Sequence, residues 1–246
     1  MKNYNDFLGI KEIKNDKILT VVSSSNRDIL YAGRFYYPII ATNINNSIVI
    51  SCSSKIADKL NKKINEIEKL NEDNLKDFLN QFAWNEFKTF EIKEMYRLIK
   101  QSNTKSVNCD DVKLIDESKK QYFYNIVKKS NELKYKEQKW NEFNKIKAPC
   151  GINYGIIKDN KIVSLGYISN ITSNMANIVI QTEDGYKNKG FATKVVEKIA
   201  YECLKKGLIP TYWVNKNNIP SRKVAKNAGF ELLSKEMVVS IDNANN

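Results

Sequence analysis

The stretch NIVIQTEDGYKNKGFATKVVEKIAYECL, residues 177–204, decides how this chain is read. Its first six residues, Asn177 to Thr182, are a β-branched run with a mostly apolar face, which predicts a strand. Past the turn, Ala192, Val195, Val196, Ile199, Ala200, Cys203 and Leu204 recur at the i, i+3, i+4 spacing of an amphipathic helix. Between them lies Gly185-Tyr186-Lys187-Asn188-Lys189-Gly190, so the order is strand, basic glycine-bearing turn, helix. The first turn of a helix leaves backbone N–H groups unpaired and carries the positive end of the helix dipole, which makes it an anion site. Gly190 and Ala192 leave a phosphate room to approach the backbone, and Lys187 and Lys189 add full charges. A phosphorylated ligand is the expectation, although short Lys/Gly turns before helices are common without one. The turn is neither a P-loop, which needs Gly-x-x-x-x-Gly-Lys-Ser/Thr, nor the three-glycine Rossmann fingerprint.

Moving outward, Ile209 to Val214 reads as a second strand. Asn218-Ile219-Pro220-Ser221 then starts a second helix that carries Val224, Ala225 and Ala228 inward and stops at Gly229, and Phe230 opens another strand. Strand, Lys-x-x-Gly-x-Ala, helix, strand, Asn-x-x-Ser and Gly-Phe together resemble the GCN5-related N-acetyltransferase (GNAT) family. More loosely, the whole chain looks like two-lobed bacterial members with an N-terminal extension, of the zwittermicin A resistance type. The resemblance implies that the turn grips the pyrophosphate of acetyl-coenzyme A, through Lys187, Asn188, Lys189, Gly190, Phe191, Ala192 and Thr193. Lys187 stands where the family has Gln or Arg. It also implies that backbone groups of Ile180 and Thr182 meet the thioester and pantetheine where two parallel strands splay. Asn218 and Ser221 are implied coenzyme contacts, and both are good helix-start residues in their own right. Arg222, Lys223 and Lys226 would either lie near the ribose phosphate or form an ordinary solvated face.

Acid–base groups follow less directly. Many relatives place a carboxylate on the strand before the turn, where this chain has the neutral Asn177 and Gln181. Glu183 is the nearest candidate catalytic carboxylate, and a solvated turn residue is its bland alternative. The tyrosine that many members place four residues before the Gly-Phe is Ala225 here, leaving Tyr186, Tyr212 and Tyr167 as substitutes or as packing.

Composition bounds the function classes. The chain has 246 residues, with Lys+Arg 40 against Asp+Glu 28 and a net charge of +12, yet the basic residues are spread rather than clustered. No nucleic-acid partner is therefore expected, and an anionic coenzyme can use part of the excess. No apolar run approaches the roughly 18 residues of a membrane span, and Met1 to Asp6 lacks a signal-peptide core, so no membrane partner and a cytoplasmic location are expected. Cys52, Cys109, Cys150 and Cys203 are isolated, which argues against zinc knuckles and disulfides. With no histidine, the commonest general base and metal ligand is missing, and no metal is expected.

The rest of the chain is patterned but carries no chemical motif. Strands are expected at 18–22, 36–41 and 47–51, with a turn at Asn43-Ile44-Asn45-Asn46. A helix is expected from Ile56 to Leu70 and a second from Leu75 to Phe82, and Trp84 to Ile99 fits a strand that turns into a helix. The polar Gln101 to Ser106 is the boundary candidate, dividing residues 1–105 from 106–246. Beyond it the pattern predicts a strand at 112–115, one broken or two consecutive helices over 119–143, and a hairpin of 152–157 and 161–168. The expected fold class is α/β with an α+β mixed sheet: a GNAT domain preceded by a smaller α+β lobe, either separate or a degenerate GNAT-like half. The resemblance implies an acetyl-CoA-dependent N-acetyltransferase acting on a primary amine of a small molecule or peptide, with a homodimer possible. Its rival is a non-catalytic acyl-CoA-binding or regulatory module.

Overall fold

The computed structural model describes residues 2–11, 19–31, 34–67, 70–102, 110–127 and 131–242. In chain order the elements are α1 (Lys2–Leu8), β1 (Leu19–Ser23), β2 (Leu30–Tyr31), β3 (Phe35–Ile44), β4 (Ser47–Cys52), α2 (Ala57–Asn65), α3 (Glu72–Glu86) and β5 (Glu91–Ile99). They continue with β6 (Val112–Leu114), α4 (Lys120–Tyr124), α5 (Leu133–Glu142), β7 (Asn153–Lys158), β8 (Lys161–Thr172) and β9 (Met175–Thr182). Last come α6 (Phe191–Lys205), β10 (Ile209–Asn215), α7 (Ile219–Asn227) and β11 (Glu231–Asp242). The mixed α/β class is the one expected.

These elements form two compact units. The first comprises Met1–Arg97, Asn215–Asn217 and Leu232–Asn246, and the second Leu98–Val214 and Asn218–Glu231. The expected division at 105/106 falls in 103–109, outside the described residues. The sequence pattern assigns the C-terminal strand to 106–246, whereas β11 clusters with the first unit, where it pairs antiparallel with β3, from Glu236 opposite Thr42 to Asp242 opposite Phe35.

In the first unit the strands lie in the order β1, β4, β3, β11, β5, with β2 beside β3. The β3–β4 hairpin turns at Asn45-Asn46, both with positive φ (51° and 63°), which asparagine tolerates better than most residues. β3 and β4 bury Ile39, Ala41, Ile48 and Ile50 against Leu60 of α2 and Leu75, Leu79 and Phe82 of α3. Two expectations are corrected here. The first long helix stops at Asn65, so Ile67 and Leu70 reach the core from outside it; residues 68 and 69 are not described. Trp84 belongs to α3, while Met95, Leu98 and Ile99 are strand. α3 starts under a reciprocal Asn71/Asn74 capping box and ends where Phe87 turns extended (φ −129°, ψ 134°), and sheet position then overrides the local helical spacing of 95–99.

In the second unit the order is β10, β9, β8, β7, β6. Only the β9–β10 pair in this set is parallel; β6 through β9 form an antiparallel meander. β8 and β9 join at Ser173-Asn174 (φ 51° and 60°), a longer hairpin than the sequence pattern showed. α6 lies directly on one face of this sheet. A Cβ added at Gly166 of β8 would stand 2.7 Å from both Val195 and Ile199 of α6, so glycine is what lets helix and strand approach. The other face carries Tyr167, 5.3 Å from Phe143, which joins Phe123 and Trp140 beside α4 and α5.

Candidate active site

β9 leads through a single 3-10 turn, Asp184–Tyr186, into α6. Asn188 (φ 61°) and Gly190 (φ 76°) both take left-handed backbone, the sharp reversal that points the chain back into a helix. Gly190 is the N-cap of α6 and supplies no side-chain cap; the first intrahelical bond runs from Lys194 N–H to the Gly190 carbonyl. The N–H groups of the first helical turn are thus left to an outside acceptor, as at any uncapped helix start. Nothing lies within 4 Å of a Cβ built at Gly185 or at Gly190, so the approach to this backbone is open.

Beside the turn, the β9–β10 ladder runs only from Met175/Ile209 to Asn177/Thr211. Ile178 to Thr182 remains paired to β8 alone, so backbone groups of β9 that face away from β8 have no strand partner there among the described residues. The split opens into a cleft of about 1210 Å³ lined by Ile180 to Asn188, Gly190 to Thr193, Tyr212, and Asn218, Pro220, Ser221, Lys223, Val224 and Asn227.

The structure brings Ile180, Thr182, Glu183, Lys187, Asn188, Gly190, Phe191, Ala192, Thr193, Asn218 and Ser221 to this one cleft. Lys189 is not among its lining residues; its ammonium sits 4.9 Å from the Tyr186 ring centroid. Several of the others are already engaged. Lys187 pairs with Asp184 at 2.6 Å, Thr182 Oγ1 lies 2.9 Å from Ser164 Oγ, and Asn218 Oδ1 accepts the Ser221 N–H at 3.1 Å. Of the basic residues on α7, Lys223 lines the cleft and Arg222 and Lys226 do not. Tyr186 donates its hydroxyl hydrogen bond to Asp159, and Tyr167 is half-buried packing against Phe143.

Of the three candidate tyrosines, Tyr186, Tyr212 and Tyr167, Tyr212 lies on β10 in the wall of the cleft. It follows Thr211, where the ladder ends, so it is the first β10 residue of the split. Its ring is buried edge-on to Phe230, and its Oη lies 2.8 Å from Ser221 Oγ. Burial raises its pKa against the lowering effect of the Ser221 hydrogen bond, so the phenol keeps its proton. Ala225 is fully buried inside α7.

An uncapped helix start beside a split parallel strand pair, both opening on one cleft, defines the arrangement of this α/β protein. This chain belongs to the GNAT acetyltransferase family, whose model matches residues 31–237. No curated protein matches it. Among solved structures, a GNAT-family acetyltransferase from Colwellia psychrerythraea is 15% identical with a TM-score of 0.46, over 66% of this chain and 62% of that one. A GCN5-related N-acetyltransferase from Sphaerobacter thermophilus is 8% identical with a TM-score of 0.47, over 68% and 56%. A ribosomal-protein-S5-alanine acetyltransferase from Vibrio fischeri is 17% identical with a TM-score of 0.38, over 54% and 92%. This chain therefore spans less than two thirds of the length of the first of these matches. Among the described residues, no helix is long and apolar enough to cross a membrane.

Proposed function

We propose that this protein transfers an acetyl group from acetyl-CoA to a primary amine of a small molecule or peptide. The observation that carries the reading is the end of the β9–β10 ladder at Asn177/Thr211, immediately before a turn that delivers an uncapped helix start. Backbone N–H groups of the first turn of α6, at Phe191, Ala192 and Thr193, would hold the pyrophosphate, and the residues lining the cleft beyond it suit an anionic, elongated ligand. When bound, the thioester supplies an activated carbonyl carbon. In the overall reaction a C–N bond forms as the C–S bond breaks, the amine gives up a proton and the sulfur gains one.

The chain's own contributions are positioning and proton handling. Free backbone groups of β9 along the split would fix the acyl end in line for attack, and an N–H aimed at the carbonyl oxygen would stabilise its developing charge. Tyr212 holds a proton at Oη inside the cleft wall, steadied by Ser221, where a departing sulfur can take it. Glu183 presents a carboxylate on the cleft rim as the candidate acceptor of the amine's proton.

A thermal-shift series with acetyl-CoA tests the reading, because binding stabilises the folded state by RT ln(1 + [L]/Kd). Gly190→Glu places a side chain and a negative charge at the helix start and is expected to abolish the shift. A shift that survives in this variant would falsify the assigned pocket. A second reading, an acyl-CoA-binding module without turnover, is favoured by the neutral Asn177 and Gln181 and by Ala225. Coenzyme A release with and without added amines separates the two.

A further inference from the structure

The rung that closes the β9–β10 ladder holds two buried oxygens with no hydrogen-bond partner, Asn177 Oδ1 and Thr211 Oγ1. Thr211 is only 1% exposed. The two residues are register partners on adjacent parallel strands, so their side chains leave the sheet on the same side. That side is set by alternation: Ile180 and Gly166 pair with each other under α6, so Asn177, three residues earlier, projects from the opposite face. Tyr212 and Ile180 line the coenzyme cleft from the α6 side, and the orphan pair sits at the vertex of the same split, facing the other way.

The orientation of Asn177 is built rather than incidental. A bulge in β8 between Ile168 and Asn170 adds Ser169 next to Asn170, the register partner of Asn177, and Ser169 Oγ accepts the Asn177 Nδ2 hydrogen bond at 3.0 Å. Ser169 Oγ in turn donates, with the Asn170 Oδ1 acceptor at 3.1 Å and the Asn177 carbonyl at 3.3 Å. That bond fixes the amide's orientation and leaves Asn177 Oδ1 without a partner. Bulges that re-aim a side chain in this way recur beside functional sites. Buried hydroxyls and amide oxygens are rarely left without partners, and here two neighbouring ones are.

The geometry points to a donor with at least two N–H bonds: Asn177 Oδ1 and Thr211 Oγ1 together hold the primary amine of the acceptor. This rests on the acyl-transfer reading and gives it a second ligand contact, on the face away from α6. Both oxygens are neutral, so they orient the nitrogen without holding it as a charged ion pair. Neither residue is a catalytic base here; both are positioning residues.

The smallest probe of the vertex is methylamine, with trimethylamine, which has no N–H as the free base, as its control. Protein saturated with acetyl-CoA is expected to release coenzyme A faster with methylamine than with trimethylamine. Thr211→Val keeps the shape and removes the hydroxyl; it should lower methylamine-dependent kcat/KM by about tenfold or more while acetyl-CoA affinity by calorimetry stays within about twofold. The same variant should melt about 2–4 °C higher without ligand, because an unsatisfied buried hydroxyl is gone. Thr211→Ser should restore the rate. A valine variant that uses methylamine as well as the wild type, or a wild type that binds acetyl-CoA but treats the two amines alike, overturns the inference. Wild-type protein that binds no acetyl-CoA removes the acyl-transfer reading itself, and the amine site with it.

Discussion

Each unit buries a group of polar side chains, and the two groups are finished differently. In the first unit Arg97 donates from Nε and Nη2 to the two oxygens of Glu236, at 2.6 and 3.0 Å. Tyr4 Oη lies 2.8 Å from Glu236 Oε1 and 2.7 Å from Ser234 Oγ, and Thr42 Oγ1 closes the chain at 2.7 Å from Ser234. In the second unit the Asn177/Thr211 rung ends in two oxygens that bond to nothing, each costing about 1–3 kcal/mol of unrecovered desolvation. A closed network specifies structure. The open rung is where the amine proposed above would bind.

The comparison is most exposed at Arg97. Arg97→Met leaves the Glu236 carboxylate buried without its partner and is expected to cost about 3–5 kcal/mol in urea denaturation. Arg27 is the control within the same unit: it is fully buried 4.4 Å from the Phe7 ring centroid, its Nε and Nη1 have no partner, and burial lowers its pKa. Arg27→Met should therefore fall within about 1 kcal/mol of wild type or above it. Equal losses in the two variants would erase the distinction between closed and open clusters.

Smaller effects test the walls of the cleft. Gly166→Val pushes against Val195 and Ile199, and a loss of about 1–3 kcal/mol is expected, together with weaker acetyl-CoA binding if the start of α6 holds the pyrophosphate as proposed. Tyr212→Phe keeps the ring against Phe230 but removes the proton; single-turnover rates should fall about 10- to 100-fold at unchanged coenzyme affinity. An unchanged rate would assign Tyr212 to packing. The mildest test is alkaline melting. Burial pushes the Cys203 thiol from 9.0 up to about 12, so the unfolded chain ionises first and stability is lost as pH rises through this window. Melting temperature plotted from pH 8.5 to 11 should fall less steeply in Cys203→Ala.

What the sequence disclosed follows the range of the interactions involved. The β9, turn, α6, β10, α7 run was legible because each element carries its own period and punctuation, from Ile178 and Ile180 through Gly190 to Gly229. The family resemblance rested on that same run, and ten of the eleven coenzyme residues it implied line one cleft. β5 was not legible past Trp84, because Met95, Leu98 and Ile99 are spaced like a helix and only their place beside β11 makes them strand. The continuation of β8 beyond Ile168 was hidden by its polar Ser169-Asn170 bulge. The pairing of Asn177 with Thr211 spans two strands and a helix, so nothing local to either residue announces it. Tyr212 was visible as a candidate, but its hydrogen bond to Ser221 depends on how α7 returns to β10.

The membership of β11 in the first unit has a bearing on biogenesis. That strand lies between β3 and β5, so the sheet to which β1 to β5 belong stays incomplete until residues 232–242 emerge from the ribosome. Everything assigned to the second unit has by then been synthesised. Nascent chains halted near residue 231 should leave the edges of β3 and β5 open to chaperones or to aggregation, while the residues lining the cleft beside β9 have all been made.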